Sequence, residues 1–118
     1  MIQLDEAVGA DSGWSMVGSS FGGLMAAIYT CQHPVRVEKL VLLAPALIWP
    51  DFASNLPPPV DVPTVIYHGN RDQIIPIEAA RRIAGQIFHN LDFNEVDDDH
   101  GLHKTVRSIN WYTLLEIL

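Results

Sequence analysis

Short apolar runs alternate with segments of helical periodicity along this chain. Trp14–Ser19 begins apolar and ends in a glycine- and serine-rich turn, so it reads as a strand. Phe21–His33 follows as a helix stopped by Pro34, with glycines and alanines near its start that let it pack close to a sheet. Lys39–Ala44 is almost continuously apolar, as expected of a parallel strand covered on both faces. Pro45–Pro59 is rich in proline, carries Trp49 and Phe52, and reads as an irregular loop. A third strand is expected over Pro63–His68. Pro76–His89 then sets Ile77, Ala80, Ile83, Ala84 and Ile87 on one helical stripe, with Pro76 suited to the first turn. Leu91–Val96 reads as the fourth strand and Lys104–Leu118 as a closing amphipathic helix. Ahead of all these, Ile2–Val8 has the pattern of a short helix and Ala10–Gly13 that of a turn.

Strands alternating with helices predict an α/β fold: a short parallel sheet, right-handed crossovers and helices on both faces. The 118 residues are expected to form a single domain, 1–118, with a modest core. Acidic residues outnumber basic ones 14 to 7, for a formal charge of −7. That balance speaks against nucleic acid or an anionic membrane surface as a partner, since both demand a basic patch. No apolar run approaches the ~20 residues of a membrane helix. Met1–Ala10 carries Asp5 and Glu6 rather than a basic start and an apolar core. Cys31 is the only cysteine, so a cytoplasmic location is the expectation. The five histidines show no paired spacing, and no metal or other cofactor is expected.

Candidate chemistry begins at Gly18-Ser19-Ser20-Phe21-Gly22, a G-x-S-x-G pattern set between a strand and a helix. A serine at the apex of so tight a turn brings the residues two before and two after it into contact. A Cβ at either place would clash, and glycine stands at both. Ser19 does not fit that frame, because Val17 and Phe21 occupy its glycine positions. Asp72 lies just beyond the third strand and His100 just beyond the fourth, at the edge where parallel sheets place their ligand crevices.

In the order Ser20, Asp72, His100, with VGSSFGG, LVLLAPA, HGNRDQIIP and DDDHGLH around them, the chain resembles the C-terminal part of an α/β-hydrolase of the serine esterase type. The resemblance implies a truncated α/β-hydrolase fold without a cap domain. It implies hydrolysis of small carboxylic esters or thioesters through an acyl-serine. Ser20 would be nucleophile, His100 base and Asp72 its orienting acid, and the Phe21 N–H would be an oxyanion donor. Trp49 and Phe52 would line the acyl pocket or else cover the core.

Plainer readings stand beside these. Ser20 would be a turn serine, Asp72 a cap before Pro76, and His100 a solvated loop residue. His68 reads as structural, Asp97–Asp99 as a solvated acidic turn, Cys31 as core, and His103 as the start of the last helix. The elbow arrives at residue 20, ahead of which the family places several strands and a second oxyanion donor. The elbow strand is therefore expected to expose an apolar edge (Trp14, Met16, Val17) that a homodimer would cover. The alternative function is a catalytically silent binding or assembly module, or one half of a split enzyme.

Overall fold

The computed structural model describes residues 14–111 and 114. Among the described residues, four strands form one parallel sheet in sequential order: β1 (Trp14–Ser19), β2 (Val37–Leu43), β3 (Thr64–Gly69) and β4 (Leu91–Val96). The crossovers carry α1 (Phe21–Gln32), α2 (Pro50–Ala53) and α3 (Ile77–Ile87), and α4 (His103–Ser108) follows the last strand. No helix among the described residues is long and apolar enough to cross a membrane.

Alternation along β2 shows how both faces are filled. Leu40 and Leu42 pack with Leu24, Ala26 and Ala27 of α1 and Ile83, Ala84 and Ile87 of α3. Val41 and Leu43 face the other way, toward Leu102 and Val106. Each such side chain removed from water contributes about 1.5–3 kcal/mol, which is why a strand of this composition sits inside the sheet rather than at its rim. The predicted helices on both faces are thus present.

Several boundaries differ from expectation. Val37 starts β2 two residues early by pairing with Trp14, and β2 ends before Ala44, which turns to a φ of 47°. The loop after β2 is not wholly irregular, because Pro50 seeds the short helix α2. The closing helix is not continuous from Lys104 onward. Ser108 Oγ donates to the Thr105 carbonyl, Ile109 is extended at ψ 133°, and a new turn starts with Leu114 N–H on the Asn110 carbonyl. A serine, a β-branched residue and an asparagine in succession favour that break, and asparagine is a natural first residue for a new turn.

β1 pairs only with β2 among the described residues. Of the side chains expected at its edge, Met16 is buried in the α1 core and Val17 packs on the opposite face, while the Trp14 side chain lies outside what the structure describes. What is left unpaired among the described residues is backbone, because strand side chains point to the sheet's faces and not along its plane. The helix and turn expected over Ile2–Val8 and Ala10–Gly13 lie outside the described residues.

Candidate active site

Register places three loops side by side. Ser19 lies opposite Leu43, Leu43 opposite Tyr67, and Gly69 opposite Val96, so the chain leaves β1, β3 and β4 at one edge of the sheet.

Ser20 occupies the turn from β1 to α1 at φ 51° and ψ −119°, a backbone state costing about 1–3 kcal/mol for a non-glycine residue. Three hydrogen bonds hold it there. Its N–H donates to the Leu43 carbonyl (2.9 Å), and its own carbonyl accepts from Ala46 (2.9 Å) and Leu24 (3.2 Å). A Cβ on Gly18 would stand 2.5 Å from the Gly22 carbonyl oxygen, the steric demand anticipated from the glycine spacing.

Asp72 belongs to the turn after β3. Its Oδ1 accepts from the N–H groups of Ile74 (2.8 Å) and Ile75 (2.7 Å), which fixes the carboxylate against its own loop. The β3 and β4 loops are joined by Asn70 N–H to the Val96 carbonyl (2.8 Å) and Arg71 N–H to the Asp98 carbonyl (3.1 Å).

His100 is held by a loop ordered from within. Asp98, read as part of a solvated turn, is buried. Its Oδ2 accepts from the Thr105 N–H (2.9 Å) and hydroxyl (2.8 Å), and its Oδ1 from the Asp99 N–H (2.9 Å). Burial pushes the Asp98 carboxyl upward, but these donors outweigh it and its pKa falls below the usual value. Leu102 takes the left-handed conformation at φ 53° and starts α4, and His103 is the helix's first residue as expected.

These loops bring the three candidate residues into one hydrogen-bonded chain. Ser20 Oγ lies 2.9 Å from His100 Nε2, and His100 Nδ1 lies 2.8 Å from Asp72 Oδ2. The carboxylate can only accept, so Nδ1 carries the ring proton and Nε2 is left to receive one from the serine. The Asp72 side chain is fully buried while that of His100 is 21% exposed. Burial pushes the Asp72 carboxyl up, yet the donors from Ile75, His100 and Ile74 together bring its pKa below the ordinary carboxylate value. The group is an anion that accepts the His100 Nδ1–H. His68, read as structural, also reaches this carboxylate, with Nε2 3.2 Å from Asp72 Oδ2.

Ser20 and His100 line a cavity of about 330 Å³ with Leu43, Leu102, Val106 and Trp111. Trp49 and Phe52 line a different recess, of about 390 Å³, and Phe21 borders it from the elbow side, its ring edge-on to Trp49 at 5.6 Å. Ser20 does not line that recess. Phe52 is 8% exposed and belongs to the core as well. The Phe21 N–H is the first of α1, with no acceptor inside the helix. Cys31 is half-buried against the core, and burial pushes its thiol up to about 11.

A family model described as the alpha/beta hydrolase fold matches residues 3–60. Among curated proteins, the non-heme chloroperoxidase CPO-A1 of Kitasatospora aureofaciens is 33% identical over 67 residues, 56% of this chain and 24% of that protein. An alpha-beta serine hydrolase homologue from Coxiella burnetii superposes with a TM-score of 0.70 at 22% identity, covering 88% of this chain and 49% of that one. A CIB-like hydrolase from Thermoplasma acidophilum gives 0.67 at 22% identity, covering 81% and 48%. The chain thus spans about half the length of these structures and a quarter of the curated relative. With the strand–elbow–helix geometry of Ser20 and the four-stranded parallel sheet of the described residues, these likenesses show that the chain has the α/β-hydrolase fold, of which it forms a part.

Proposed function

We propose that Ser20, His100 and Asp72 are a catalytic triad that hydrolyses small carboxylic esters or thioesters through an acyl-serine. The observation that carries this reading is the unbroken path Ser20 Oγ, His100 Nε2, His100 Nδ1, Asp72 Oδ2, with links of 2.9 and 2.8 Å. Ser20 Oγ attacks the carbonyl carbon as its proton passes to His100 Nε2. The imidazolium gives that proton to the departing alkoxide or thiolate, leaving an acyl-serine and free alcohol or thiol. Water then attacks, its proton again passing to Nε2, and collapse releases the acid and restores Ser20. Asp72 stays ionised throughout and stabilises the imidazolium.

Proton transfer by a placed base is worth about 10²–10⁴ in rate. The Phe21 N–H is the oxyanion donor of this reading, and loss of one such donor costs about 10²–10³. The carbonyl end of the substrate sits in the cavity shared by Ser20 and His100. Trp49 and Phe52 border the recess past Phe21 and would take more distant apolar parts. No cofactor enters the reaction.

Turnover of p-nitrophenyl acetate by the chain and by Ser20→Ala tests the proposal. Turnover lost in the variant supports it. Equal background rates in both favour the silent or split-partner alternative.

The similarity to a protein named a chloroperoxidase favours a second nucleophile for the same intermediate. Hydrogen peroxide attacking the acyl-serine in place of water would release a peracid and free Ser20. Peracid formed from acetate ester and peroxide, absent in Ser20→Ala, is the corresponding readout.

A further inference from the structure

His68 is the one fully buried histidine among the described residues, and the acyl-transfer steps do not use it. It is the last residue but one of β3, four residues before Asp72, with its ring nearly parallel to Phe93 at 6.2 Å between centroids. Its Nε2 lies 2.9 Å from the Ile75 carbonyl oxygen and 3.2 Å from Asp72 Oδ2. Both neighbours are acceptors, so Nε2 must carry a proton. Nδ1 is buried with no hydrogen-bond partner among the described residues. A proton there would be an unpaired N–H in the core, which is more costly than a bare lone pair. His68 is therefore the neutral Nε2–H tautomer, and burial, the largest influence on it, lowers its pKa.

From that geometry we infer that His68 is a positioning residue for the proposed triad: its N–H ties the Ile75 carbonyl at the end of the Asp72 loop and stands close against the Asp72 carboxylate. The inference rests on the triad reading. Asp72 Oδ1 receives Ile74 and Ile75 from its own loop and Oδ2 receives His100, while His68 Nε2, on the strand beneath, stands 3.2 Å from Oδ2 and donates to the Ile75 carbonyl. Without the His68 donor the Ile75 carbonyl is released, the turn whose N–H groups hold Oδ1 loosens, and Oδ2 no longer holds the His100 ring toward Ser20. Because His68 acts through Asp72, its loss lowers turnover and leaves substrate affinity alone.

Glutamine reaches about as far as Nε2 of histidine and offers an N–H, whereas methionine has the same shape without one. In p-nitrophenyl acetate hydrolysis, His68→Met is expected to lose about 10- to 100-fold in kcat with KM nearly unchanged. His68→Gln is expected to recover most of that loss. In proton NMR, the low-field His100 Nδ1–H resonance should persist in His68→Gln and broaden or shift in His68→Met. Two folded variants with equal kcat and an unchanged resonance overturn the inference. Nitrogen-15 NMR of the unmutated chain tests it even if His68→Met does not fold: an Nδ1–H tautomer or an imidazolium at neutral pH overturns it. Wild-type chain without Ser20-dependent turnover would count against the triad, while the tautomer and the His100 resonance would still judge the His68 contacts.

Discussion

The carbonyl of Asp98 occupies the space where Gly69 would carry a Cβ: the carbonyl carbon would lie 2.7 Å from such an atom, and Asp99 O also 2.7 Å. The absence of a side chain at Gly69 lets the loop that carries His100 close on the loop that carries Asp72. Gly69→Ala is expected to force them apart, costing about 1–3 kcal/mol of stability and lowering esterase activity more than stability alone explains. Urea denaturation and ester turnover of the folded variant check this. A variant matching wild type in both would show that the close approach is not required.

Asp72→Asn keeps an Oδ1 acceptor for Ile74 and Ile75 but removes the anion beside His100. Turnover is expected to fall by about 10⁴-fold while the fold survives. Circular dichroism alongside the rate measurement separates a lost charge from a lost fold.

Stability should decline on acidification in two steps. His68 has a pKa below its ordinary 6.5 in the folded chain, chiefly through burial, so the unfolded chain takes up that proton first. Folding free energy is therefore undiminished above about pH 6.5 and falls below it, toward the lowered folded value. Asp72, below its ordinary 3.8, adds a second loss as pH drops through and beneath 3.8. Denaturant midpoints from pH 8 to pH 3 measure both, and His68→Gln should flatten the first step. A first step that persists in that variant contradicts the assignment.

Cys31 is packed beside the core with a thiol pushed up to about 11, so at pH 8 only about one molecule in 10³ carries a thiolate. Iodoacetamide should modify it slowly, and Cys31→Ala should retain full ester turnover. Rapid labelling accompanied by lost activity would put Cys31 in the chemistry.

How much of this was legible beforehand differs from residue to residue. Gly18 and Gly22 announced the elbow because the constraint is local: the turn that strains Ser20 leaves no space for a Cβ two residues away. β1 and β4 were legible to the residue, and α1 to within one, since burial pattern and a stop signal coincide there. Asp98 was not. In the run Asp97-Asp98-Asp99 nothing local separates the buried carboxylate from its solvated neighbours; only the return of Thr105 as α4 forms does so. The approach of His68 to Asp72 was not legible for the same reason, because it depends on how the intervening turn folds back. Trp49 and Phe52 could be read as apolar loop residues, but their place on a recess that Ser20 does not line depends on α2 and the course of the chain from β2 to β3.

The central claim is that Ser20 is a nucleophile activated by His100. Intact-mass and peptide analysis after exposure to an alkyl fluorophosphonate tests it most directly, since an activated serine displaces fluoride and keeps the phosphonyl group. One adduct per chain, located on Ser20 and absent from Ser20→Ala and His100→Ala, is the predicted result. No adduct, or labelling of another residue with Ser20 untouched, would contradict it.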